Sequence, residues 1–367
     1  MDAKPARQDY IATLDLLRLA AALAVVFFHY FFRGAASEGA LAQGYPSVAP
    51  VALYGYLGVN LFFLISGFVI AWSAEGRFWQ EFAIARFVRL YPGYLLCMTI
   101  TFVIIAAFGA PLFSASLGQY AANLSMFAPA LGQPFMDGVY WSILLELVFY
   151  GWVTLALIGG VFQKWKLGLI FIWLVISASN EFFIESRAAR LLFITEFGPF
   201  FAAGVLVHHI HAHGRSLAAL LLLGAAFLLS CSTLSVTQQW MLNEYGIAVS
   251  QPHLVIANFV MHSLLIGAVL LRRYVVPSAL TLALGGLTYP LYLLHQKIGY
   301  IAINAVAPLV GKWAAALGCA ALMVLISWAI WRYFERPTQR WAKAWIGRAI
   351  DAALARFRGT SGAQVAE

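Results

Sequence analysis

The stretch IATLDLLRLAAALAVVFFHYFF, residues 11–32, decides the fold. Its apolar residues cover every face of a helix for about 20 positions, the length that crosses a bilayer's hydrocarbon core. A backbone in lipid must satisfy its own hydrogen bonds, so such a run forms a helix. The whole chain repeats the pattern. Of 367 residues, 62% are hydrophobic and 10% charged, where soluble domains carry about 25% charged residues. Further runs near 51–73, 91–110, 139–161, 167–179, 191–208, 216–231, 253–271, 286–307 and 312–333 predict an all-α polytopic bundle of about ten spans, the fifth of them short. Disorder, collagen, coiled coil and disulfide scaffolds are excluded. Cys97, Cys231 and Cys319 lie far apart without a CxxC, and form neither a zinc site nor a disulfide framework. The first run is kept as a span because it is long, holds Arg18 and lacks a small-residue cleavage site.

Orientation follows from the basic residues of short loops, which are retained in the cytoplasm. With the N-terminus inside, that side receives Lys4, Arg7, Arg77, Arg86, Arg89, Lys164, Lys166, Arg215, Arg272, Arg273 and the arginines of the tail. The other side keeps only Arg33, Arg187, Arg190 and Lys312. Both termini are therefore expected in the cytoplasm, with 74–90 a cytoplasmic loop and 111–138 and 232–252 opposite. The net charge of +8 is mostly topology, and nucleic acid is not an expected partner. The end of the chain, ERPTQRWAKAWIGRAIDAALARFR (335–358), reads as a basic amphipathic helix on an anionic membrane face. This divides the chain into a membrane domain, 1–337, and a basic cytoplasmic tail, 338–367.

Ionisable groups at bilayer depth are expensive and mark functional sites by default. Arg18 and His29 are 11 positions apart, three turns plus about 20°, and so share one face at roughly 16 Å separation. Asp15 can pair with Arg18 at i, i+3. A core histidine bonded to a backbone carbonyl is the bland account of His29; the shared face argues for more. Arg86 and Arg89 are also i, i+3 neighbours, and two guanidinium forks suit a phosphate ligand; positive-inside anchoring explains such arginines about as often. Glu146 sits in YWSILLELVFYGW (140–152), where its bland role is to pair with Arg18. In GVNLFFLISGFVIAW (58–72), Gly58, Ser66 and Gly67 permit close helix packing, and Asn60 needs a polar partner. In LTYPLYLLHQKIG (287–299), Tyr289, Tyr292 and His295 share a helix face. Tyr140 and Trp141 stand at the opening of the Glu146 span. Tyr140, Trp141, Asn60, Tyr289, Tyr292 and His295 are candidates to line an acceptor site or pore. The run HHIHAHGR (208–215) has no acid or cysteine in sequence beside it, so an interfacial turn is preferred to a metal site. Glu196, His253 and His262 are polar singletons without an assigned role.

Seven pieces taken together resemble the acyltransferase-3 family of bacterial membrane acyltransferases. They are LDLLRLAAALAVVFFH, GVNLFFLISGFVI, ARFVRLYPGY, VYWSILLELVFY, GPFFAAGVL, LGGLTYPLYLLH and YFERP, in family order from residue 14 to 337. The family's paired Arg and His of its first span fall on Arg18 and His29, its double-arginine motif on Arg86 and Arg89, and its span-four acid on Glu146. Two family acids are replaced, by Asn60 and Leu147. The SGNH domain fused to many relatives is not expected in the short tail. The resemblance implies a bacterial inner-membrane enzyme that moves an acyl group, commonly acetyl, from cytoplasmic acyl-CoA to a hydroxyl of a cell-envelope polysaccharide or its lipid-linked precursor. His29, with Arg18 and Glu146, would carry the chemistry as general base or acyl carrier, and Arg86 and Arg89 would bind the donor. No metal and no tightly bound cofactor is implied; acetyl-CoA is a substrate, membrane lipids surround the bundle, and a homo-oligomer is open. The competing reading is a transporter or flippase of a lipid-linked or anionic sugar, whose paired inverted repeats are not evident here. A non-catalytic scaffold would not need charges at matched depths.

Overall fold

A computed structural model of the protein describes residues 10–36, 39–344 and 346. Ten long helical segments run in order: α1 (Ala12–Ala36), α2 (Ala49–Ala74), α3 (Trp79–Phe108), α4 (Gly138–Ile158), α5 (Lys166–Ile184), α6 (Arg187–His213), α7 (Leu217–Tyr245), α8 (Gln251–Leu270), α9 (Thr288–Val310) and α10 (Lys312–Ala344). Among the described residues there is no strand. All except α9 are long and apolar enough to cross a membrane. His295, Gln296 and Lys297 lower the apolarity of α9; every residue from Thr288 to Gln296 is buried in protein. A helix that faces protein rather than lipid can hold polar groups at that depth.

Several boundaries differ from the expected ones. α3 begins at Trp79 rather than near 91, so Arg86 and Arg89 lie inside this 30-residue helix and not in the loop before it. Arginine ends a hydropathy run but is a good helix former. α7 continues through the polar residues 232–245, so the expected outer loop there is helix up to Gly246. α5 passes through a π-helical turn, Asn180–Ile184, and reaches spanning length. α6 is interrupted at 194–197 between Arg187–Phe193 and Gly198–His213. The expected tail helix falls mostly outside the described residues; up to Ala344 it continues α10.

The packing centre is α2, wedged between α1 and α6. A Cβ on Gly67 would stand 2.0 Å from the Phe201 carbonyl oxygen, and one on Gly204 would stand 2.1 Å from that of Leu64. The two backbones cross where neither has a side chain, as small residues allow in membranes. On the opposite side, Gly58 meets α1 at the Ala21 carbonyl in the same way.

Candidate functional site

Two cavities open inside the bundle. The first is lined by Arg18 of α1, Arg86 and Arg89 of α3, Ser66 of α2, Glu146 and Tyr150 of α4, and Tyr289 and Tyr292 of α9, among others. The second is lined by His29 and Arg33, Tyr56 and Asn60, Trp141, Glu196, Phe197, Thr237, Trp240 and again Tyr292. Val59 and Tyr292 belong to both walls. The cavities therefore meet at these two side chains. Because α1 carries Arg18 into the first and His29 into the second, they lie at different depths, roughly 16 Å apart along that helix. The Tyr292 hydroxyl is held between Ser142 Oγ at 2.6 Å and the Val139 carbonyl at 3.2 Å.

In the first cavity the charges are unequally paired. Arg18 bonds Asp15 at 3.0 Å, the expected i, i+3 pair, and Asp15 also accepts from the Tyr10 hydroxyl. Glu146 does not pair with Arg18; it accepts from Ser66 Oγ at 2.9 Å and from the Tyr150 hydroxyl. Ser66, expected only as a packing residue, thereby orients that carboxylate. Arg89 faces Glu335 at 3.6 Å and lies over the Tyr289 ring. Glu335 ends a second π-helical turn, Trp331–Glu335, and is 1% exposed. Arg86 lies over Phe82 and has no carboxylate partner among the described residues. One guanidinium is thus held by an acid and its neighbour, among the described residues, is not.

His29 opens a third π-helical turn, His29–Arg33, an insertion common at functional sites. Its Nδ1 lies 2.8 Å from the Val25 carbonyl and 3.1 Å from Nε2 of His295. Nδ1 of His295 lies 2.9 Å from the Tyr292 carbonyl and 3.1 Å from that of Leu291. Carbonyls only accept, so both Nδ1 atoms carry hydrogen. His295 then offers its Nε2 lone pair to His29, which lines the second cavity and whose own Nε2 has no hydrogen-bond partner among the described residues. His295 and the Val25 carbonyl, rather than Glu146 or Asp15, orient the imidazole. The bland account of His29, a bond to a backbone carbonyl, describes only one of its two nitrogens.

The remaining candidates divide. Asn60, Trp141 and Tyr292 line the second cavity, and Tyr289 the first. Tyr140 lines neither; it is buried with its hydroxyl on the Leu293 carbonyl. The histidine run does have an acid beside it: Glu75 of α2 meets His208 at 3.5 Å, His213 at 2.9 Å and Lys166 at 3.6 Å. Residues brought in by the fold alone include Glu335, Tyr56, Arg33, Trp240 and Glu196. A carboxylate within an apolar span was a signal for Glu196; Tyr56 and Trp240 carried none.

The turn before the second half of α6 is built tightly. Ile194, a buried β-branched residue, has φ +55, a left-handed conformation that is a true outlier for its type. Trp152 and Trp173 donate their indole N–H groups to the Leu192 and Phe193 carbonyls, each at 2.6 Å. Thr195 donates to Glu181, which Arg190 grips at 2.8 Å. Glu196 follows directly, with no hydrogen-bond partner among the described residues.

The acyltransferase domain model of the acyltransferase-3 family matches residues 11–332. The chain belongs to that family. Acyltransferase MdmB of Streptomyces mycarofaciens is 34% identical over 116 residues, covering 29% of this chain and 27% of that protein. The chain thus aligns with about a quarter of this curated relative. No solved structure matches significantly. Nine of the described helices of this acyltransferase-3 family member are long and apolar enough to cross a membrane.

Proposed function

We propose that the protein transfers an acyl group, acetyl in the common case, from acyl-CoA to a hydroxyl of a cell-envelope carbohydrate. The observation that carries this reading is the meeting of an arginine-lined cavity and a histidine-lined cavity at Val59 and Tyr292. Positive-inside bias puts the arginine end in the cytoplasm of a bacterial inner membrane, where acyl-CoA is found. Arg86 and Arg89 hold CoA phosphates, and the slender pantetheine arm carries the thioester past Tyr292 toward His29. The Nε2 lone pair of His29 takes the proton of the acceptor hydroxyl. That oxygen bonds to the thioester carbon, the C–S bond breaks, and the CoA thiolate recovers the proton. The imidazolium formed on the way is stabilised by the Val25 carbonyl and by His295.

The test is acetyl transfer by purified protein in lipid nanodiscs, with labelled acetyl-CoA and an envelope glycan extract. CoA release with label on glycan is expected, and neither with His29→Ala. Label-free glycan and no CoA release from the wild type would favour a transporter instead.

A further inference from the structure

The second cavity holds more polar chemistry than the transfer step uses. Asn60 and Tyr56 lie in its wall, and Asn60 Nδ2 and the Tyr56 hydroxyl have no hydrogen-bond partner among the described residues. Asn60 is 3% exposed and Tyr56 8%. Buried polar groups are nearly always bonded, and an orphan is costly. Two orphans in one cavity wall indicate that a ligand completes them. Glu196 faces the same space, carried by a strained turn clamped on both sides. Strain of this kind persists where the surrounding structure over-determines it, and it collects at ligand sites. Trp141 and Trp240 supply flat apolar faces.

We propose that this cavity is the acceptor subsite and takes an uncharged pyranose ring. Asn60 and Tyr56 donate to ring oxygens, Glu196 accepts from hydroxyls, and an indole covers a C–H face of the ring. Arg33 lines the same wall as Glu196, so one cation and one acid face the ring together and an acidic sugar gains no net attraction there. A ring so held presents one hydroxyl to His29 Nε2. Naming the ring as acyl acceptor rests on the function proposed above; the binding claim does not need it.

The experiment is therefore an equilibrium titration with no acyl donor. Protein in nanodiscs free of glycosidic detergent is titrated with methyl β-glucopyranoside, methyl β-galactopyranoside, methyl α-mannopyranoside and methyl β-glucuronide, following tryptophan fluorescence. At least one neutral glycoside should give a saturable change that Trp240→Phe diminishes. The glucuronide should bind about tenfold more weakly or worse. Glu196→Ala should weaken the neutral sugar about tenfold, Glu196→Gln less, because the amide still accepts. Arg86→Ala should leave the titration where it was, since Arg86 lines the other cavity. No saturable response to any neutral glycoside, tighter binding of the glucuronide, or an unchanged Glu196→Ala titration would each overturn the proposal. Failure of the donor reading shows separately, as absent CoA release with an intact sugar titration.

Discussion

At His29 the fold settles which nitrogen is basic. Three carbonyls and one lone pair fix the hydrogens on both rings. His29→Ala should lower transfer about 10²–10⁴-fold, the usual contribution of a general base, with expression and membrane insertion unchanged. Turnover within a few-fold of wild type would remove His29 from the mechanism. His295→Ala should fall between the two, since the Val25 contact survives it. The arginines differ in the same local way. Arg86 lacks a carboxylate partner among the described residues and Arg89 has Glu335, so Arg86→Ala should cost about 1.5–3 kcal/mol of donor affinity. That loss should appear in the acetyl-CoA KM with kcat largely kept. Lysine at 86 should rescue poorly, because it lacks the planar fork. A collapsed kcat at unchanged KM would place Arg86 in the reaction. His29, Arg18 and Glu146 were legible in the sequence as charges where charges are costly, and Arg86 and Arg89 as two forks at i, i+3. Apart from Asp15 beside Arg18, their partners were not, because His295, Ser66 and Glu335 arrive from other helices.

At the scale of elements, three helices among the described residues carry a π-helical turn, and each turn holds a buried polar residue: His29, Asn180 and Glu335. An extra residue in a turn rotates the remainder of the helix and re-aims its side chains; hydropathy, which reads 3.6-residue periodicity, does not register it. The α2–α6 crossing makes the clearest prediction. Gly204→Ala places a methyl group against the Leu64 carbonyl, so the helices must separate at a cost of about 1–3 kcal/mol. Gly151→Ala, with open space at its Cβ, is the control. Thermal unfolding in nanodiscs should show a lower midpoint for Gly204→Ala and an unchanged one for Gly151→Ala. Equal midpoints would mean that the crossing has slack.

For the whole molecule the open quantity is orientation. Basic residues at the start of α3 and the end of α10 predict a cytoplasmic arginine end. Gln80→Cys and Gly118→Cys occupy exposed positions at opposite ends of α3 and the segment after it. With Cys231→Ser removing the more accessible native thiol, an impermeant thiol reagent on intact cells with outer-membrane access should label 118 and spare 80. Labelling at 80 and not at 118 would invert the bundle and detach Arg86 and Arg89 from cytoplasmic acyl-CoA.

The sequence by itself determined that this chain is a bundle of about ten spans, because solvation in lipid is a sum over residues and needs no knowledge of neighbours. It also determined the axial separation of Arg18 and His29, because one helix has a fixed rise. Tertiary structure alone decided that the charges divide between two cavities joined at Tyr292. It alone set α9 inside the bundle despite its polar residues, and brought Glu75 to histidines that have no acid near them in sequence. It brought Tyr56, Glu196 and Trp240 to one wall through packing of α2, α6 and α7. Contacts between distant helices depend on which faces meet, and an all-apolar surface carries no period that says which face turns inward.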